Sequence, residues 1–303
     1  MTSQRGDAGS LLVPELPASA SWSYSTRRFR LLDHDFAVRS TNEAIGRYLD
    51  ELFAPSVVDG EPSAWYSIVA GVPGMQEDEL YVDGERVAHT ERSPFVLTYL
   101  FWHINQEVIR KSCARHVLVH AAAAARDGVG IVMPAAPEAG KTTLVAGLVS
   151  GGFKYLSDEA AAIDPETLKV APFPKPLSID KGSREVLAHL EPRPAPGLTA
   201  HLADQWQVSP LAIRTDAVSG PVSPRLVILP YYCRDAETLL EPLGRTETLL
   251  AMLRHTFHFD QAGRRNFEVL ARLVAEADCF RLTVGDLTDA CGAVSKLVGR
   301  LND

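Results

Sequence analysis

The tripeptide Gly140-Lys141-Thr142 constrains this chain more than any other feature, because of what flanks it. Before it stands Val129-Gly130-Ile131-Val132-Met133, a short apolar run that reads as a buried strand, followed by a loop from Pro134. After it come Leu144, Leu148 and Val149, which predict a helix ended by Gly151-Gly152. In a strand, loop, Gly-Lys-Thr, helix arrangement, backbone N–H groups and the helix dipole converge on one anion. Lys141 would add a full positive charge beside the β- and γ-phosphates of a nucleotide, and the Thr142 hydroxyl is a hard oxygen ligand suited to Mg²⁺. The loop Ala135-Ala136-Pro137-Glu138-Ala139-Gly140 departs from the G-x-x-x-x-G-K-[ST] pattern at its first position. Ala135 there requires a negative φ. Glu138 brings a carboxylate into the loop, which repels a polyphosphate unless the side chain points to solvent.

A second strand is predicted at Phe153-Lys154-Tyr155-Leu156, with Asp158-Glu159 at its end. Adjacent side chains at a strand end point in opposite directions, so one acid can face a bound metal or an acceptor hydroxyl while the other pairs elsewhere.

The rest of the chain predicts an α/β layer architecture. Residues 1–24 are rich in Ser, Ala, Pro and Gly and read as a flexible tail. Residues 29–38 have strand-like content broken by Asp33-His34-Asp35, and Thr41-Asn42-Glu43 opens a helix through Leu52 that Pro55 ends. Residues 65–69 read as a buried strand, and 80–87 as a hairpin turning at Asp83-Gly84. Ser93-Pro94 opens a helix apolar on more than one face, expected to be buried between two parts of the protein, with Trp102 and Trp65 in the core. Alanine favours helix, yet the Asp127-Gly128 turn and the apolar partner run argue that Ala121–Ala125 is a strand. Helices are expected near 183–190, over 246–259 and over 267–277, and strands at 225–229, stopped by Pro230, and at 280–284.

Composition excludes several function classes. The 303 residues are 46% hydrophobic and 22% charged, which argues for a folded chain of one or two domains. A net charge of -8 argues against a nucleic-acid partner. No apolar run approaches the length of a membrane span, and the four cysteines form no C-x-x-C pair, so a reduced, cytoplasmic protein is expected. His255 and His258 have metal-ligand spacing on the expected helix but no evident third ligand, so a structural role is expected. Lys175, Lys181 and Arg184 form a basic group that reads equally as a phosphate clamp or a solvated loop.

His120, the stretch Ala135-Ala136-Pro137-Glu138-Ala139-Gly140-Lys141-Thr142-Thr143, and Leu156-Ser157-Asp158-Glu159 together resemble the core of the HPr kinase/phosphorylase family. The likeness is closer to HPr-kinase-related proteins, among them kinases found beside lasso-peptide biosynthesis enzymes. It extends to Pro172-Phe173-Pro174-Lys175-Pro176-Leu177-Ser178, covers residues 116–184 well and 246–286 more loosely. The resemblance implies a P-loop kinase core like that of HPr kinase and PEP carboxykinase over 116–303. Beside it a smaller N-terminal α+β region at 25–115 is expected, from layout alone, to pack onto that core and contribute to substrate recognition. The resemblance also implies that Lys141 neutralises phosphate charge, that Thr142 and Asp158 serve Mg²⁺, that Glu159 assists the metal or the positioning of the P-loop, that Asp158 takes the acceptor's proton, that His120 orients or tunes Asp158, and that Lys175 joins the nucleotide site. ATP and Mg²⁺ are the expected cofactors, and a serine of a peptide or protein is the expected acceptor. A small-molecule hydroxyl, or a degenerate P-loop module without catalysis, are the alternatives. The oligomeric state is left open, a homo-oligomer included.

Overall fold

Turn chemistry and strand alternation build a first sheet from the N-terminal third of the chain. The computed structural model describes residues 21–71, 77–90, 94–195, 198, 202 and 205–302. β1 (Tyr24–Ser25) and β2 (Phe29–Leu31) lie antiparallel to β3 (His34–Ser40). α1 (Glu43–Leu52) then crosses over to β4 (Trp65–Val69), which runs parallel to β3. The Asn42 side chain caps α1 by accepting from the N–H groups of Ala44 and Ile45, and Ile45, Leu49 and Leu52 are its buried face. β5 (Asp78–Val82) and β6 (Glu85–Thr90) form the expected hairpin, completing a six-stranded mixed sheet. Residues 1–20 of the expected tail lie outside the described residues, whereas Ser23 and Tyr24 are tied to β3.

The break expected within the strand-like stretch 29–38 is the turn of a hairpin. Its polar cluster is accommodated, because Leu32 turns with a positive φ of 51° and His34 is buried against Tyr66. α2 (Pro94–Ser112) is apolar for the reason anticipated, since Val96, Leu97, Leu100 and Ile104 share a core with the first sheet and with Ala160 and Phe173 beyond it. Ser93, the expected cap, lies outside the described residues. One face of α2 departs from the expectation, because Phe95, Tyr99 and Trp102 are exposed, Trp102 to 59%. Trp65 is half-buried rather than core, and the Arg39 guanidinium lies over its ring.

The second sheet starts with β7 (Val117–Arg126) and β8 (Val129–Pro134), antiparallel across Asp127-Gly128. Gly128 supplies a φ of 78° at no steric cost, as this tight turn requires. The alanines of β7 are strand despite their helix propensity, because both faces of the strand are covered. Ala122 and Ala124 pack toward α3 (Lys141–Ser150), while Ala121, Ala123 and Ala125 face the opposite layer. β9 (Lys154–Ser157) and β10 (Ala160–Ile163) both pair antiparallel with β7, and β11 (Val170–Ala171) extends the edge. β12 (Leu177–Ile179) and β13 (Trp206–Val208) make a separate two-stranded ladder, followed by α4 (Pro210–Ile213).

β14 (Pro224–Tyr232) runs parallel to β8 and to β16 (Asp278–Val284), and β15 (Leu239–Pro242) closes the far edge. The sheet has eight strands in the order β11-β10-β7-β8-β14-β16-β15, with β9 beside β7. α3 and α7 (Leu287–Asn302) cover one face, and α5 (Arg245–Arg254) and α6 (Phe259–Glu276) the other. The protein is thus a mixed α/β structure with two main mixed sheets. No helix among the described residues is long and apolar enough to cross a membrane.

Three expectations in this half are corrected. The helix expected near 183–190 is two short 3-10 turns, Lys181–Ser183 and Ala188–Leu190. The helix expected over 246–259 breaks after Arg254, because residues 255–257 pair with β7 instead. There His120 N–H donates to His255 O at 2.7 Å and Phe257 N–H to Leu118 O at 2.9 Å. Pro230 does not stop β14, which continues to Tyr232. β8 has already ended at that level, and a missing N–H is tolerated at such an edge.

Candidate functional site

The loop at 135–140 joins β8 to α3, so β8 and the helix fix both its ends. Gly140 is the N-cap of α3 with a φ of 83°, a left-handed conformation that favours glycine. Ala135 is buried and is not among the residues with positive φ, so alanine is compatible with the first loop position. Glu138 has a φ of 62° and an exposed side chain, so its carboxylate is directed to solvent, and its unfavourable contribution is chiefly one of backbone.

Lys141 folds over this loop. Its Nζ donates to Ala135 O at 2.9 Å, to Ala136 O at 2.7 Å and to His120 Nε2 at 2.9 Å. All three ammonium protons therefore have acceptors, and burial pushes the Lys141 pKa down to about 8. Because Lys141 donates to Nε2, the His120 ring carries its proton on Nδ1, which donates to Glu159 O at 3.0 Å. Burial and the Lys141 charge hold His120 down to about 4, which keeps it neutral at pH 7. The resemblance sets His120 to orient Asp158. In the structure His120 instead joins Lys141 to Glu159, whose Oε1 is 3.6 Å from Nδ1.

Asp158 and Glu159 diverge at the turn from β9 to β10. The Asp158 side chain is 2% exposed and the Glu159 side chain 32%. Asp158 Oδ1 accepts from the Tyr155 hydroxyl at 2.7 Å and pairs with Lys175 Nζ at 2.8 Å. Asp158 Oδ2 accepts from the Thr142 hydroxyl at 3.1 Å and from Ser178 N–H at 3.4 Å. Burial lifts the Glu159 carboxyl above the usual carboxylate range, and it lifts the Tyr155 phenol well above its own. Thr143 is held at the mouth of α3 by a 2.5 Å contact between its hydroxyl and that of Ser183.

Lys175 comes from the segment Pro172-Phe173-Pro174-Lys175-Pro176, of which Phe173, Pro174, Lys175 and Pro176 are buried. A chain segment can be buried this way because three prolines remove three N–H groups that would otherwise need partners. The basic trio anticipated here does not converge. Lys175 is paired inside, Arg184 lies over the Trp206 ring at 4.9 Å, and Lys181 is exposed. His255 and His258 sit in the break between α5 and α6 rather than on one helix face, and no group of three metal-ligating side chains occurs among the described residues.

Tyr155 and Ser178 were not anticipated as part of this site. A tyrosine within an apolar strand, three residues before an acid, is the signal that was available, because a buried phenol needs a hydrogen-bond partner. A groove of about 910 Å³ lies beyond the site, between α1 and residues 189–195, 198 and 207–212. Its wall residue Gln207 accepts from the Ser178 hydroxyl at 3.1 Å, which links the groove to Asp158 through one residue.

No protein-family model matches this chain, and no curated protein matches its sequence.

Proposed function

We propose that the chain is an ATP- and Mg²⁺-dependent phosphotransferase that passes the γ-phosphate to a hydroxyl, with a serine of a peptide or protein as acceptor. One observation carries the reading: Thr142 at the start of α3 and Asp158 at the end of β9 share a hydrogen bond beside Lys141. A hydroxyl and a carboxylate oxygen are the hard ligands that Mg²⁺ prefers, so the residues present fit that ion. Thr142 and Asp158 would hold the ion, which would supply positive charge against the negative charge that develops during transfer.

The chain's own residues supply the rest. Lys141 exchanges loop carbonyls for phosphate oxygens, and neutral His120 with Glu159 keeps that ammonium at the loop mouth. Tyr155 and Lys175 fix Asp158 through Oδ1, and Oδ2, which meets the Thr142 hydroxyl and Ser178 N–H, is the oxygen that would serve the metal or take the acceptor's proton. The bond from the γ-phosphorus to the β,γ-bridging oxygen breaks as the bond to the acceptor oxygen forms. The reading includes a P-loop kinase core over 116–303, the 25–115 region as a substrate-recognition element, and a cytoplasmic setting.

The test is incubation with γ-labelled Mg·ATP and a library of serine-containing peptides. Label on serine, abolished by Asp158→Asn, is expected. Label on small hydroxyl compounds alone would move the acceptor class to metabolites. A second reading, a binding module without turnover, is favoured by Glu138 in a left-handed conformation where glycine fits better. It predicts no label on any acceptor.

A further inference from the structure

We infer that Tyr232 is a stacking platform for the nucleobase of the bound nucleotide. The inference rests on the proposed nucleotide site and deepens it. Val227 of β14 is in register with Val132 of β8, so Leu229 lies level with Pro134 and the strand continues past it alongside the 135–140 loop. The projecting end is held in place, since Tyr232 is still in register with Val284 of β16 and Cys233 N–H donates to Val284 O at 3.0 Å. Side chains alternate along a strand. Leu226 and Ile228 belong to the core that contains Leu144 and Val145 of α3, so Tyr232 is on the α3 face and Tyr231 on the other.

Tyr232 meets the loop at its critical point. A Cβ built on Gly140, the N-cap of α3, would be 3.9 Å from Tyr232 Cβ. Tyr232 is not spent on packing, being 53% exposed. An exposed aromatic face on a fixed strand end beside a phosphate loop is suited to a planar base, whose stacking is worth a substantial fraction of binding and is tolerant of base identity. The phosphates would be held by Lys141 and the N-terminus of α3 while the base lies on the phenol.

The experiment is calorimetric titration of Mg·ATP and, separately, of Mg·tripolyphosphate into the wild type, Tyr232→Ala, Tyr232→Phe and Tyr231→Ala. Stacking predicts that Tyr232→Ala weakens Mg·ATP about tenfold and leaves Mg·tripolyphosphate unchanged. Tyr232→Phe, which keeps the ring, and Tyr231→Ala, on the opposite face, retain near wild-type affinity for both. Equal affinity of Tyr232→Ala and wild type for Mg·ATP would overturn the inference, as would an equal loss for both ligands or a like loss in Tyr231→Ala. Wild type that binds tripolyphosphate as tightly as ATP would overturn it while sparing the phosphate site. Wild type that binds neither would overturn the nucleotide reading and this inference together.

Discussion

Lys175 Nζ lies 2.8 Å from Asp158 Oδ1, and both side chains are almost completely buried. A lone charge at such a depth is costly, so each partner is what makes the other tolerable. Lys175 donates a second bond to Pro176 O at 3.0 Å, which ties the proline-rich segment to the end of β9. The pair therefore stabilises the site's geometry as well as its charge.

Removing one partner leaves the other uncompensated. Lys175→Met is expected to lower unfolding free energy by about 3–5 kcal/mol. The double variant Lys175→Met/Asp158→Asn should recover a large part of that loss, since no buried charge remains. Urea unfolding of the four proteins measures the coupling. Strictly additive losses would show that the two side chains do not act as a pair.

Glu138 is the residue of the loop whose replacement should help. Its φ of 62° is left-handed, and the penalty for an L-residue there is about 1–2 kcal/mol. Glu138→Gly removes that penalty and also a negative charge near the polyphosphate path. A rise of about 1 kcal/mol in unfolding free energy is expected on urea unfolding, with Mg·ATP bound at least as tightly as by the wild type in a calorimetric titration. Weaker binding would mean that Glu138 contributes to the ligand.

The two acids should respond differently to neutral replacement. Asp158→Asn alters the oxygen pair beside Thr142 and is expected to abolish phosphoryl transfer while ATP itself still binds. Glu159→Gln leaves Thr142 and Asp158 in place and acts on Lys141 and His120, so a smaller loss is expected, with weaker nucleotide binding. Steady-state rates and binding constants measured side by side distinguish the two. Full transfer by Asp158→Asn would remove Asp158 from the chemistry.

Acid should destabilise the fold through two histidines, His34, which is buried, and His120, which is partly buried. Lys111 Nζ donates to His34 Nδ1 at 3.0 Å, so Nε2 carries the proton toward the Tyr66 hydroxyl at 3.0 Å. Burial, and then the Lys111 charge, lower His34 from its ordinary 6.5 to about 4, and His120 is lowered similarly. Between these pH values the unfolded chain binds a proton at each site that the folded chain does not. Their contribution to stability is thus full above pH 6.5 and is lost as pH falls toward 4, at about 1.4 kcal/mol per pH unit per histidine. His34→Gln should reduce the slope of unfolding free energy against pH by about one such increment. An unchanged slope would show that His34 does not titrate on unfolding.

Local chemistry made much of this architecture legible. The Asp83-Gly84 and Asp127-Gly128 turns located two of the hairpins, and Gly140-Lys141-Thr142 located the start of α3. What escaped was decided by tertiary neighbours. β10, with the sequence Ala160 to Ile163, has no strand signature of its own and is a strand because β7 offers it a ladder. Residues 255–257 leave helical conformation for the same reason, pairing with β7 near His120. In the site, the motif residues Lys141, Thr142 and Asp158 were readable from spacing. Tyr155 and Ser178 were not, because their roles come from hydrogen bonds that only the folded chain creates. Nor was the direct contact of His120 with Glu159, because adjacent acids look alike in sequence while their side chains point in opposite directions.

Calorimetric titration of Mg·ATP into the wild type and into Lys141→Ala tests the central claim most directly. Binding by the wild type that Lys141→Ala abolishes, with the variant's thermal unfolding retained, is the predicted result. Equal binding by both proteins, or none by the folded wild type, would contradict the account of a nucleotide held by this loop.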